Sequence, residues 1–232
     1  MARARRIAAQ EPDSPVGYRL QGDVYMHMRR FDSAVRAYDS ALKKGDSANL
    51  AIRLYEARRA AGKGALDFAE RWAEKHAGDG AAQRLLASAY LHAGRNDEAM
   101  EIYQRLLKTA PRDTTSLNNI ALLYQAKDDP RALVYAKRAY DAEPTHPATI
   151  DTYGWILVQR GDAEGGLKFL RNAKLRAPFV PEIRYHLAVA LNVLGKPDEA
   201  KQELEAALSF GHLFEGIAEA RALLAALTGP RR

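Results

Sequence analysis

"NDEAMEIYQRLLKTAPRD" (residues 96–113) decides the fold, because the chain returns to it three times in altered wording. "DPRALVYAKRAYDAEPTH" (129–146), "DAEGGLKFLRNAKLRAPF" (162–179) and "PDEAKQELEAALSFGHLF" (197–214) share its acidic opening, its early small residue and its apolar stripe. Pro111, Pro144 and Pro178 mark one recurring point, 33 and 34 residues apart. Upstream, a small residue recurs at Gly22, Ala87, Ala121, Gly154 and Ala188, with last steps of 34, 33 and 34. A second small column holds Ala34, Ala99, Ala132, Gly166 and Ala200. An aromatic column holds Tyr25, Tyr90 and Tyr124, with Leu157 and Leu191 in the same place later.

The segments between these marks read as helices. "SLNNIALLYQA" places Leu117, Ile120, Ala121 and Tyr124 on one stripe, and "IRYHLAVALNVLG" does the same with Ile183, Leu187 and Leu191. Gly94, Gly161 and Gly195 follow the first helix of their units, as C-cap glycines do. Asp129-Pro130 starts a second helix with a capping acid and a proline in the first turn. Acids also open second helices at Asp97-Glu98 and Asp198-Glu199, where they favour the positive end of the dipole. Six helical hairpins are expected, at about 15–45, 48–77, 80–110, 114–143, 147–177 and 181–211. The second is degenerate, with Glu56 in its small column and Arg59 in its aromatic column.

This pattern resembles the tetratricopeptide repeat (TPR) over nearly the whole chain. The resemblance implies an all-α, right-handed superhelical solenoid of helix-turn-helix hairpins in a single array spanning residues 1–232. Residues 2–11 read as the remnant helix of a preceding repeat, with Pro12 where a repeat-ending proline belongs. The chain is therefore expected to begin inside a longer array. Residues 213–228 read as a capping helix over the last apolar face, stopped by Gly229-Pro230. From Asn118 onward the wording is similar to the C-terminal repeats of bacterial TPR lipoproteins of the PEP-CTERM/exosortase and exopolysaccharide systems. That narrower resemblance implies a periplasmic or envelope-associated protein whose lipid-anchor signal lies outside this sequence.

Composition excludes several other classes. The chain of 232 residues is 47% hydrophobic and 28% charged, a globular balance. No stretch approaches the roughly 20 apolar residues that span a bilayer. Cysteine is absent, which removes disulfides, thiolate catalysis and zinc–thiolate sites. The net charge is +6, but Arg3, Arg5, Arg6, Arg231 and Arg232 lie at the ends, and without those five it is +1 (6 − 5). A phosphate-binding groove would concentrate cations in the folded body, so no nucleic-acid partner is expected. The six histidines (His27, His76, His92, His146, His186 and His212) show no metal-ligand spacing, and no metal or cofactor is expected. There is no glycine-rich phosphate loop and no nucleophile elbow, so no catalytic residue is assigned. Arg160-Gly161-Asp162 reads as a helix end, a turn and a helix start.

In stacked repeats one face of each first helix lines a concave groove. The register assigns to it Arg84, Ser88 and His92; Asn118, Asn119, Leu122 and Gln125; Asp151, Thr152, Trp155 and Gln159; and Tyr185, His186, Val189 and Asn192. Amides to pair with a backbone and rings to cover apolar side chains suit a protein or an extended peptide. TPR clamps for a C-terminal carboxylate need paired cations. Here Asp151 and Tyr185 stand where donors would be wanted, so that ligand is not expected. The expected role is a non-enzymatic scaffold. The alternatives are a structural spacer or self-association module, and a polyanion- or polysaccharide-binding surface built on Arg53, Arg58 and Arg59.

Overall fold

A computed structural model describes residues 1–210 and 214–229. Gly211, His212 and Leu213, and Pro230, Arg231 and Arg232, lie outside the described residues. Among the described residues there are fourteen α-helices and no strand. In chain order they are α1 (Ala2–Gln10), α2 (Pro15–His27), α3 (Phe31–Lys44), α4 (Ala48–Ala61), α5 (Ala65–Lys75), α6 (Gly80–His92), α7 (Asn96–Thr109), α8 (Thr114–Gln125), α9 (Arg131–Ala142), α10 (Pro147–Gln159), α11 (Ala163–Arg176), α12 (Pro181–Val193), α13 (Pro197–Ser209) and α14 (Ile217–Thr228).

The chain divides into two compact units, residues 1–106 and 107–232, with the boundary inside α7. In the first unit α2 packs on α1 and α3, α3 passes to α4, and α5 packs on α4 and α6. In the second, α8 pairs with α9, α10 with α11 and α12 with α13. Each second helix also meets the next first helix, and α13 meets α14. First helices of successive hairpins touch as well, α4 with α6, and α10 with both α8 and α12.

Both small columns lie at these helix crossings. Ala34, Ala87, Ala99, Ala121, Ala132, Ala188 and Ala200 are fully buried. The tightest constraint sits between α10 and α11. A Cβ on Gly166 would come 2.6 Å from the Gly154 carbonyl oxygen, so two glycines allow a backbone-to-backbone approach that alanine would block. The degenerate hairpin differs. α4 begins at Ala48, so its eighth residue is Tyr55, where the eighth residue of α2 is Gly22. The small-residue place is therefore held by a buried tyrosine and not by Glu56.

Helix ends follow elementary capping. Asp113 accepts from Ser116 N, Asp162 from Gly165 N and Asp79 from Ala81 N. Asp129 accepts from Arg131 N at 2.9 Å, so α9 starts one residue after Pro130. Gly94, Gly161 and Gly195 take left-handed conformations after their first helices, and Arg29 and Asp128 take the same conformation at the corresponding turns of other hairpins. Ahead of α14, Gly216 turns the chain at φ +87. A Cβ there would meet the Tyr185 ring at 2.6 Å, so glycine lets this segment lie directly over Tyr185.

Candidate functional site

Helical spacing sets up the site in the second unit. Asp151 and Trp155 are four residues apart on α10, and Glu182 and His186 are four apart on α12 with Tyr185 between them, so each set shares a face. Across the two helices Asp151 accepts from His186 Nδ1, at 2.9 Å to Oδ2 and 3.1 Å to Oδ1. The His186 ring stacks on Trp155 with centroids 4.3 Å apart and planes 11° from parallel. Tyr185 lies 6.1 Å from Trp155 and 6.2 Å from Phe214, which the Gly216 turn brings in. The carboxylate–imidazole–indole stack therefore locks the floor of a cleft in one geometry.

The cleft has a volume of about 410 Å³ and is lined by Leu122, Asp151, Thr152, Trp155, Glu182, Tyr185, His186, Glu215, Gly216 and Glu219. Six of these belong to the expected groove set: Leu122, Asp151, Thr152, Trp155, Tyr185 and His186. They are not equally presented. Leu122 is 41% exposed, whereas Asp151 and Thr152 are buried at 8% and 6%. Asp151 faces the cleft as the anchor of His186 more than as an open contact group. Trp155 is half-buried, packed on the C-terminal core along one side while lining the cleft. Burial pushes the Tyr185 hydroxyl above its ordinary pKa, and the negative charge of Glu219 adds to the effect.

The remaining expected groove residues do not join this cleft. On α8, Asn119 donates to the Thr115 carbonyl at 2.8 Å, and the buried oxygens of Asn118 and Gln125 have no hydrogen-bond partner. Val189 packs against the C-terminal core, Asn192 is half-buried and Gln159 is exposed. In the first unit Arg84 and Ser88 are half-buried on α6. His92, at the end of α6, is bonded to the Tyr55 hydroxyl at 3.0 Å. Sequence reasoning missed Glu182, Glu215 and Glu219. The available signal is the i,i+4 pair of acids in "EGIAE" (215–219), which by sequence alone reads as part of a cap and not as a wall.

A second cavity, of about 480 Å³, lies on α3 and α5 over Phe68 and Trp72. Its cations are mostly matched. Lys43 pairs with Asp39, Lys44 with Asp13 and Lys75 with Asp46. Among the described residues Glu182, Glu215 and Glu219 of the α10–α12 cleft are not matched in this way, and that cleft also gathers the converging rings. Among the described residues no group of three His, Cys, Asp or Glu side chains is arranged to hold a metal. No described helix is long and apolar enough to cross a membrane.

Residues 61–119 match the tetratricopeptide-repeat family model. No curated protein matches the chain. Among solved structures, TTC0263, a thermophilic TPR protein in Thermus thermophilus, superposes with a TM-score of 0.64 at 22% identity. The match covers 78% of this chain and 98% of that one. The fold is a tetratricopeptide-repeat solenoid. Two further structural neighbours are larger. The Cut9–Hcn1 hetero-tetramer of the APC/C gives a TM-score of 0.76 at 15% identity, over 97% of this chain and 45% of its own. The human IFIT1 dimer with PPP-AAAA gives 0.71 at 15% identity, over 97% and 57%. This chain thus spans about half the length of those two. At these identities the likeness carries the fold alone, so the TPR cleft itself must carry the functional reading.

Proposed function

We propose that this TPR chain is a non-enzymatic scaffold that docks an extended peptide of a partner protein, with the α10–α12 cleft as the contact site. The observation behind this reading is the cleft's construction: Trp155, Tyr185 and Leu122 supply apolar surface, and a polar rim surrounds it. Aromatic walls with a few fixed polar groups are how peptide grooves combine affinity with orientation. The six hairpins with a trailing cap are the array we propose to present it. Thr152 and the α8 amides Asn118, Asn119 and Gln125 are proposed to extend the contact along the first helices. The wording from Asn118 onward, similar to envelope TPR lipoproteins, supports placing the partner in a bacterial export or exopolysaccharide system.

The polyanion alternative is less well supported. Arg53 is bonded to Asp23, and Arg59 to Glu56. An acid-lined cleft also repels a phosphate chain. The test is panning a displayed peptide library against the chain. Clones should enrich, and their binding should be lost in Trp155→Ala while the helical circular dichroism is unchanged. Equal retention by Trp155→Ala would remove the cleft from the account.

A further inference from the structure

The cleft is charged in one sense. Asp151, Glu182, Glu215 and Glu219 line it, and among the described residues no lysine or arginine does. Asp151 is committed to His186, but Glu182, Glu215 and Glu219 have no ion-pair or hydrogen-bond partner among the described residues. Elsewhere the half-buried acids are matched, whereas exposed acids such as Glu74, Glu101 and Glu164 stand without a partner among the described residues. Asp23 holds Arg19 and Arg53, and Glu203 holds Lys174 and Arg184. Half-buried Glu182 departs from that habit, and Glu215 and Glu219 converge with it beside two half-buried rings, on a chain whose net charge is +6.

The same protein shows what such a constellation accepts. In the first unit Arg95 lies 4.2 Å over the Tyr90 ring while its guanidinium is bonded to Glu70 and Glu98. In the second, Arg131 lies 4.2 Å over Tyr124 and is held by Asp129. A ring face and a carboxylate together hold a cation by its attraction to the π-electrons and by charge-assisted hydrogen bonds. The α10–α12 cleft offers the rings and the carboxylates without the cation.

We propose that this cleft recognises a basic side chain, arginine or lysine, of the docked partner segment. Glu182, Glu215 and Glu219 grip its charge, and the Trp155 and Tyr185 rings take its apolar stem. This rests on the peptide-docking reading and specifies the ligand chemistry. Exposed Leu122 gives the neighbouring partner residue an apolar seat. Arginine's planar fork can bridge two carboxylates, so it should outbind lysine.

The test uses capped seven-residue peptides that differ only in a central Arg, Leu or Glu. They are titrated into the whole chain, with affinity and backbone amide shifts recorded. The Arg peptide should bind at least about tenfold more tightly than the Glu peptide at low salt, and the gap should narrow as salt screens it. Glu215→Gln with Glu219→Gln should erase the preference, and both residues are exposed, so folding is preserved. An Arg peptide no tighter than the Leu peptide, or a preference that survives the double variant, overturns the proposal. If the Leu peptide still shifts cleft residues, peptide docking stands and the basic specificity alone fails. If no peptide shifts them, both readings fail. Self-association that vanishes in the double variant would assign the cleft to a second copy and overturn the partner segment.

Discussion

Alanine at Gly166 and at Gly80 should have opposite effects. Gly166 lies within α11, where alanine raises helix propensity by about 1 kcal/mol, whereas Gly80 is the first residue of α6 and gains less. A Cβ on Gly80 would find its nearest neighbours at 3.5 Å (Arg84 Nη1) and 3.8 Å (Leu106 Cδ2), which is ordinary contact. A Cβ on Gly166 would lie 2.5 Å from Val158 Cγ2 and 2.6 Å from the Gly154 carbonyl oxygen. The carbonyl belongs to the backbone of α10, so relief requires α10 and α11 to move apart. Overpacking a core costs about 1–3 kcal/mol, and a backbone obstacle puts this case near about 3. Less the propensity gain, Gly166→Ala should destabilise by about 2 kcal/mol. With a urea slope of about 2 kcal/mol per molar, its midpoint should fall by about 1 M, while that of Gly80→Ala should rise by less than about 0.5 M. Stacked repeats can unfold in blocks, so the curves should be followed both by circular dichroism and by the fluorescence of Trp155 in a Trp72→Phe background. A Gly166→Ala midpoint at or above that of the wild type would refute the close crossing.

Three further outcomes follow from local geometry. Arg29 holds a left-handed conformation (φ 55) at a turn where other hairpins use glycine, so Arg29→Gly should raise stability by up to about 1 kcal/mol in the same urea assay. Arg131 grips Asp129 through hydrogen bonds and pulls its carboxyl from the ordinary 3.8 down to about 2. A depressed carboxylate stabilises the fold above its unfolded value, so this contribution is complete above about pH 4 and lost as pH falls through about 2. Carboxyl-carbon NMR should find the Asp129 midpoint near about 2, returning toward 3.8 in Arg131→Gln; a wild-type midpoint at 3.8 would contradict the grip. Removing the charge of Glu219 should lower the titration midpoint of the Tyr185 hydroxyl in Glu219→Gln without restoring it fully, since burial is the larger cause. An unchanged Tyr185 midpoint in ring-carbon NMR titration would mean Glu219 does not face the ring.

Much of the fold was legible because packing writes itself into residue size. Columns such as Ala34, Ala99, Ala132 and Ala200 are small because helices cross there, and period and burial agree residue by residue. The α4 register was less legible, because a shorter hairpin shifted the column onto Tyr55 and the repeat no longer predicted its own spacing. The cleft was half legible. Trp155 and Tyr185 follow from the register of first helices, since each faces inward by its angle around one helix. The Asp151–His186 bond does not follow, because it depends on how α10 and α12 lie side by side. The acidic wall follows least. Glu215 and Glu219 reach the cleft through the turn at Gly216, and only tertiary structure reveals where a turn delivers its side chains.

Amide shift mapping with a peptide selected on this chain shows whether a peptide docks in the α10–α12 cleft. Saturable shifts should cluster at Leu122, Thr152, Trp155, Glu182, Tyr185, His186 and Glu219. Shifts clustered instead on Lys43, Phe68, Trp72 and Lys75, with the cleft silent, would contradict it.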